Sequence, residues 1–139
     1  MTHKLKLEEL GRVDVDTFKT LEKIPVVVVL DNIRSMHNVG AVFRTADAFL
    51  IEKVILCGIT PRPPHREIHK AALGATESVD WQYYESIKEA VLDLKTLKYE
   101  VLGIEQTTDS TLIGDYKIDS SKKYALVLGN EVEGVSDEI

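Results

Sequence analysis

Val26-Val27-Val28-Val29-Leu30 is a run of apolar, mostly β-branched residues that decides the fold class. The run is too short for a helix and is apolar at successive positions, which is typical of a strand buried on both faces in a parallel sheet. The polar segment 31–37 follows as a loop. From Asn38, the expected N-cap, apolar residues recur at helical spacing as far as Leu50. This order of strand, loop and helix predicts the first half of a βαβ unit.

The alternation of strands and helices continues along the chain. Further strands are expected over 53–57, 81–84, 99–104 and 124–128. Helices are expected over 65–73, with Gly74 as C-cap, and over 86–97, where Ser86 and Glu89 form a capping box. A weaker helical pattern covers 7–21, and another helix begins at Ser136. We predict an α/β domain over 24–139, with a mostly parallel sheet and helices on both faces, preceded by a helical lead over 1–23.

Length and composition exclude several classes of protein. The chain has 139 residues, of which 44% are hydrophobic and 29% charged, so one packed domain fits and a disordered chain does not. No apolar run approaches the roughly 20 residues of a membrane span, and the polar N-terminus has no signal-peptide core. The single cysteine, Cys57, excludes a disulfide framework and a cysteine-rich zinc site. We expect a cytoplasmic protein in which Cys57 is a buried, inert thiol.

Charge is distributed unevenly along the chain. The net charge is −6, but residues 1–70 carry 11 basic and 9 acidic side chains, whereas residues 71–139 carry 6 and 14. All five arginines lie in the first half. The acidity of the whole chain excludes a nonspecific polyanion binder. Because arginine contacts phosphate through two parallel N–H groups, the distribution still permits a local anion site in the first half. Ordinary surface arginines would explain it equally well.

The loop after the strand 124–128 is rich in glycine and acidic residues. Gly129, Gly134 and Ser136 match the spacing of a phosphate-binding P-loop, but Val135 stands where its lysine is required. Glu131 and Glu133 would repel a triphosphate. The loop therefore fits a neutral or cationic ligand held by backbone groups. The alternative is a tight turn that needs two glycines and has no ligand.

The loop after the strand 26–30 has the opposite electrostatic character. The amides at the start of the expected helix favour an anion, and Gly40 removes side-chain bulk at a point where something must approach the backbone. Arg44 lies one helical turn beyond Gly40, among apolar neighbours, where an unpaired arginine is unfavourable. It would either receive an anionic ligand or form a structural ion pair with Asp31 or Asp47.

Two further groups of side chains are weaker candidates. His65 and His69 have the spacing of a metal pair, but no third ligand is evident, so a solvated helical face is favoured and no metal is expected. Trp81, Tyr83 and Tyr84 could stack on nucleobases, although aromatic residues in a strand usually belong to the core.

Three segments together resemble the SpoU (TrmH-like) branch of the SPOUT methyltransferases. They are Asn38-Val-Gly-Ala-Val-Phe-Arg44-Thr-Ala46, Lys70-Ala-Ala-Leu-Gly74-Ala-Thr-Glu-Ser78 and Leu126-Val-Leu-Gly129-Asn-Glu-Val-Glu-Gly134-Val-Ser136. The resemblance spans about residues 24–139. It implies a trefoil-knot fold and the methylation of a ribose 2′-hydroxyl in tRNA or rRNA, with S-adenosylmethionine as cofactor.

The resemblance also implies roles for single residues. Asn38 and Arg44 would belong to the catalytic face that receives the ribose and its phosphate, and Glu131 would be the acidic residue of the second motif. The cofactor would be held around Gly129, including Leu128, Asn130 and Gly134, and by the loop at Glu105 and Gln106. We expect Arg44 to hold phosphate and stabilise the developing alkoxide, because an arginine is a poor resting base.

One departure from the family affects what this chain would do alone. The third family motif, rich in Ser, Leu and Asn, supplies cofactor contacts, the knot and part of the dimer interface, and it has no counterpart before Ile139. We therefore expect the 139-residue chain to bind the cofactor weakly or not at all, and the full-length protein to be a homodimer.

The alternative function is that of a noncatalytic RNA-binding or assembly protein that retains the fold. A dehydrogenase is excluded, because no G-x-G-x-x-G follows the first strand.

Overall fold

The protein folds around a five-stranded parallel sheet in the order β3-β2-β1-β5-β4. The computed structural model describes Thr2 and residues 15–137. The strands are β1 (Ile24–Asp31), β2 (Ile51–Cys57), β3 (Trp81–Tyr84), β4 (Tyr99–Ile104) and β5 (Lys123–Leu128). The helices are α1 (Val15–Thr20), α2 (Met36–Ala48), α3 (Arg66–Ala72), α4 (Ala75–Ser78) and α5 (Ile87–Thr96), with a 3₁₀ turn at Ile113–Asp115. The predicted parallel α/β fold is therefore confirmed.

Helices cover both faces of the sheet and form two apolar cores. α2, α3 and α4 pack with α1 against one face, where Phe43, Leu56 and Ile68 are fully buried. α5 covers the other face and packs on Val27 and Val29, so alternate residues of β1 serve the two cores. This arrangement accounts for the unbroken apolar run in β1, because a central parallel strand has no solvent-facing side.

α2 begins earlier than the sequence predicts. Ser35, not Asn38, is the N-cap: its backbone is extended and its hydroxyl accepts a hydrogen bond from the amide of Asn38 at 3.1 Å. Both residue types are good caps, and the choice depends on the conformation of the preceding loop. Asn38 therefore lies within the first turn of the helix, where its side chain is free to contact another loop.

Other element ends also differ from the predictions. α3 ends at Ala72, and Leu73 rather than Gly74 is its C-cap, with a φ of +50°. Ser86 precedes α5 as expected, but its side chain makes no capping hydrogen bond. The expected helix over 7–21 is described only from Val15, where it forms α1, and most of the helix expected from Ser136 lies outside the described residues.

α2 and α3 pack unusually closely at one glycine. A Cβ atom added at Gly40 would lie 2.5 Å from the carbonyl oxygen of Ile68 and 2.6 Å from the Cβ of Ala71. Gly40 is therefore needed for helix–helix contact and not for ligand access. The close packing fixes α3 beside the helix that carries Asn38 and Arg44.

Candidate functional site

The loops that follow β1, β2 and β5 meet at one edge of the sheet and are joined by hydrogen bonds. The amide of Ile33 donates to the Thr60 hydroxyl at 3.0 Å, and the amide of Ile59 donates to the Asn32 side-chain oxygen at 3.0 Å. The side-chain amide of Asn130 donates to the carbonyl of Asn32 at 2.7 Å. The carboxyl edge of a parallel sheet is where ligands of such folds bind, and here it is held as one unit.

Glu131 connects the two loops that carry the family-like motifs. One carboxylate oxygen accepts from the Arg34 amide at 3.0 Å, and the other accepts from the Ser35 amide at 3.1 Å and the Asn38 side chain at 3.3 Å. Desolvation would raise the pKa of Glu131, but these hydrogen bonds outweigh it and lower the pKa to about 2. The anion beside the start of α2 is thus a carboxylate of the protein itself.

The segment 129–134 is a tight turn closed on itself. Asn130 and Gly134 exchange two backbone hydrogen bonds of 2.9 Å, and the Asn130 side-chain oxygen accepts from the amides of Val132 and Glu133. A Cβ at Gly129 would lie 2.1 Å from the carbonyl carbon of Gly134, which itself has a φ of +74°. The turn therefore requires both glycines for its own geometry, whatever it binds.

The predicted cofactor residues surround this turn but do not line a single cavity. Glu105, which follows β4, accepts from the amide of Val135 at 3.3 Å and so ties its loop to the turn. Gln106 follows it and is exposed. Asn130 and Gly134 line a cavity on one side of the turn, and Glu105 lines a neighbouring one. Leu128 and Gly129 line an apolar groove on the α2 side, together with Asn38 and Glu131.

The cavity beside Asn130 is strongly acidic. Among the described residues, its lining includes Asp31, Glu85, Glu133 and Asp137 and no lysine or arginine. Asp31 is only 1% exposed; one carboxylate oxygen accepts from the Ser136 amide at 2.7 Å, and the other has no partner among the described residues. A buried carboxylate oxygen without a partner is unfavourable, so this cavity fits a ligand that brings a positive charge or a hydrogen-bond donor.

Arg44 lies on a different side of α2 from Asn38. Six residues at about 100° each place the two side chains roughly 120° apart around the helix. Arg44 is exposed and lines a depression formed with α1, α3 and α4, whereas Asn38 faces the groove that contains Gly129. Among residues 15–137, Arg44 forms no ion pair with Asp31 or Asp47. The Asp31 carboxylate accepts from the Ser136 amide, and the Asp47 carboxylate accepts from the Ser78 hydroxyl. Within the described part of the chain, its guanidinium is therefore open to a ligand.

The histidine pair and Cys57, two weaker candidates of the sequence analysis, form no binding site within the described residues. His65 caps α3, its ring nitrogen accepting from the Glu67 amide at 3.2 Å, and His69 is exposed. In the described part of the chain, no group of three or more possible metal ligands occurs. The expectation of a buried thiol is confirmed, and this burial, with the charge of Asp31 adding to it, raises the pKa of Cys57 to about 12.

Two contributors to the site have only weak sequence signals. Asp31 ends a buried apolar strand, and an acidic residue at that point indicates a polar contact at the sheet edge. Asn32, which contacts two other loops, has a φ of +54°, a conformation that asparagine tolerates better than most residues. No pattern in the sequence near Asn32 indicates its two contacts, because their partners, Ile59 and Asn130, lie 27 and 98 residues further along the chain.

Known proteins with similar sequences are RNA methyltransferases. The sequence profile of the SpoU rRNA methylase family matches residues 25–139. A 23S rRNA (guanosine-2′-O-)-methyltransferase, RlmB, of Neisseria meningitidis is 29% identical over 120 residues, which are 86% of this chain and 47% of that protein. An uncharacterized tRNA/rRNA methyltransferase of Synechocystis is 30% identical over 133 residues, 92% of this chain and 32% of that protein. The chain thus spans half or less of the length of these relatives.

Solved structures show the same fold. The A. aeolicus TrmH/SpoU tRNA modifying enzyme superposes with a TM-score of 0.74 at 21% identity, over 89% of this chain and 61% of that one. An rRNA methyltransferase of Sinorhizobium meliloti, solved with AdoMet bound, gives a TM-score of 0.70 at 25% identity, over 87% of this chain and 46% of that one. No helix in the described residues is long and apolar enough to cross a membrane. With the profile matching residues 25–139, the chain belongs to the SpoU rRNA methylase family.

Proposed function

We propose that this protein methylates a ribose 2′-hydroxyl of tRNA or rRNA with S-adenosylmethionine as methyl donor. The observation that carries the proposal is the contact of Glu131 with Arg34, Ser35 and Asn38, which brings the two family-like loops together at the carboxyl edge of the sheet. RlmB of Neisseria, named for guanosine 2′-O-methylation of 23S rRNA, supports ribose as the acceptor. An RNA substrate of this kind would place the protein in the cytoplasm.

The residues at the turn 129–134 fit a cationic cofactor. S-adenosylmethionine carries a positive sulfonium and supplies the methyl group when bound. The unpaired oxygen of buried Asp31 and the acidic lining beside it favour positive charge and disfavour a nucleoside triphosphate. Gly129 and Gly134 leave no side chain over the backbone of the turn, so backbone carbonyls outside the Asn130–Gly134 pair would accept hydrogen bonds from the adenosine, with Glu105 fixing the turn.

Asn38 and Arg44 would act on the RNA. In a displacement at carbon, alignment of the acceptor oxygen with the methyl group provides much of the acceleration, and Asn38, fixed by Glu131, would orient the ribose. Arg44 is exposed and unpaired within the described residues, so its forked guanidinium is free to hold a phosphate. From there its charge would also stabilise the alkoxide that forms as the hydroxyl loses its proton.

A homodimer would bring Arg44 to the turn. Within one chain, Arg44 and Gly129 line separate depressions. The groove containing Gly129 is bordered by exposed apolar surface, including Phe49, which is 66% exposed. A second copy packed on this surface would cover it and could present its own Arg44 beside the turn.

The test of the activity uses the protein as the cell makes it, incubated with bulk RNA and tritiated methyl donor. We expect label at ribose 2′-oxygens, at least about tenfold less with Arg44→Lys because a point charge replaces the fork, and about 100-fold less with Arg44→Ala. Lys88→Ala, an exposed change on α5, is the control and should not affect the rate. RNA binding without any methyl transfer would instead support a noncatalytic protein of the same fold.

The test of the dimer mixes two inactive variants. If Arg44 acts on the turn of its partner, then chains with Arg44→Ala and chains with Gly129→Val form heterodimers with one intact site. Random mixing would restore about a quarter of the wild-type rate. If both residues act within one chain, the mixture stays as inactive as either variant alone.

A further inference from the structure

A second surface at the same edge of the sheet combines aromatic rings with positive charge. The loop 58–65 and β3 enclose a depression whose lining includes Arg62, His65, Trp81 and Tyr83. β3 is an edge strand, so its aromatic residues are only partly covered, and Trp81 is 36% exposed. We call this depression the aromatic surface.

Arg62 and Tyr83 form a fixed stack within the aromatic surface. The guanidinium of Arg62 lies 4.1 Å from the centre of the Tyr83 ring, and the Tyr83 hydroxyl donates to the carbonyl of Gly58 at 2.6 Å. The hydroxyl bond holds the ring against the loop that carries Arg62. Arg62 is exposed and forms no ion pair within residues 15–137, so the planar cation is held in place with one face still accessible.

Positive charge continues from the aromatic surface towards Arg44. α3 follows the loop directly and carries exposed Arg66 and Lys70 against a single acidic residue, Glu67. Its last residue, Ala72, lines the depression that contains Arg44. The basic residues of α3 are a local exception in a chain with a net charge of −6. They lie between the aromatic surface and Arg44, the residue proposed to hold the RNA phosphate.

We propose that the aromatic surface stacks an unpaired base of the RNA near the target nucleotide, while α3 contacts the intervening backbone. The inference rests on the proposed function for the identity of the RNA, but the binding itself needs no cofactor. Single-stranded nucleic acids are held by aromatic and arginine planes beside basic grooves, because every base offers a π-face. The fixed Arg62–Tyr83 stack offers such a plane without further ordering.

Trp81 gives a direct readout of this binding, because it is the single tryptophan of the chain and lines the aromatic surface. A short single-stranded oligoribonucleotide titrated into the 139-residue chain should quench its fluorescence. Arg62→Ala should weaken binding at least about fivefold, and Arg62→Lys should weaken it nearly as much, because lysine keeps the charge but not the plane. Lys88→Ala removes one positive charge from α5, on the other side of the sheet, and should leave the affinity unchanged.

Two further probes separate stacking from charge. The same sequence in a duplex, whose bases are already stacked, and inorganic polyphosphate, which has none, should bind without quenching Trp81. Equal affinity of wild type and Arg62→Ala, or equal quenching by polyphosphate, would overturn the inference while leaving the methyl-transfer proposal intact. Conversely, if the protein transfers no methyl group but Arg62-dependent quenching persists, the proposed function fails and the aromatic surface stands as an RNA site.

Discussion

Replacing Glu131 with glutamine tests whether this carboxylate holds the two loops together. Its two oxygens accept from the amides of Arg34 and Ser35 and from the side chain of Asn38. Glutamine has nearly the same shape but presents an NH₂ group in place of one oxygen. Whichever oxygen the NH₂ group replaces, it would face an N–H donor, so at least one of the three hydrogen bonds is lost. The remaining hydrogen bonds would also lose the contribution of the negative charge.

The size and pH dependence of the effect follow from the pKa of Glu131. A fall from its ordinary value of 4.5 to about 2 corresponds to at most about 3 kcal/mol of stability. The side chain is exposed, and screening by water reduces the expected contribution to about 1 kcal/mol. Because the folded-state pKa is the lower one, this stability is fully present above about pH 5 and is lost as the pH falls from 4.5 towards 2.

Urea unfolding followed by Trp81 fluorescence and circular dichroism measures the difference. We expect Glu131→Gln to lower the free energy of unfolding by about 1 kcal/mol at pH 7, and by clearly less at pH 3.5. Glu133→Gln is the matched control, because Glu133 belongs to the same turn and its carboxylate accepts no hydrogen bond within the described residues. Equal stability of Glu131→Gln and wild type at pH 7, or a difference that persists unchanged in acid, would refute the role given to the carboxylate.

Three other substitutions or reactions test the packing of the site. Gly40→Ala should lower the free energy of unfolding by about 1–3 kcal/mol in urea titrations, because its methyl group would meet the backbone of Ile68 at 2.5 Å. Gly129→Ala should abolish the pairing of Asn130 with Gly134, which hydrogen exchange of the Gly134 amide would detect as lost protection. Cys57 should react with a disulfide reagent at pH 8 about a thousandfold more slowly in the folded than in the urea-unfolded chain, because burial raises its pKa to about 12; comparable rates would contradict its burial.

Local sequence patterns predict most of the sheet. β3 and β4 begin and end at the residues that the patterns indicate, because a turn or a polar residue limits each run. β1 extends beyond its apolar run at both ends, to Ile24 and Asp31. The added residues pair with β2, so long-range pairing and not local preference sets these ends.

The start of α2 shows why the site is harder to predict than the fold. Ser35 and Asn38 are both good N-caps, and local sequence cannot choose between them. The preceding loop is fixed by Glu131, which lies 96 residues further along the chain than Ser35. A contact between loops so far apart leaves no periodic signal in either one, and only the folded chain brings them together.

The surroundings of Arg44 also depend on packing that the local sequence does not indicate. Its spacing from Gly40 predicts correctly that the two share a face of α2, but it does not say what covers that face. In the structure α3 packs there, and Arg44 extends past it into solvent. Asn38, in the first turn of the helix, lies on a different side and contacts Glu131.

The arrangement of charge around β1 would let an acidic chain act on the proposed RNA substrate. Acidic side chains gather where the loops after β1 and β5 enclose the cavity of Asp31, and exposed basic side chains gather on α3 and at Arg44, on the α2 side of the sheet. Charges separated in this way do not neutralise one another in a common pocket, so each region keeps its own potential. A cationic donor and an anionic chain would then approach from different directions, and the proposed reaction would require a second copy of the chain to bring its Arg44 to the turn, where Glu131 joins the two loops.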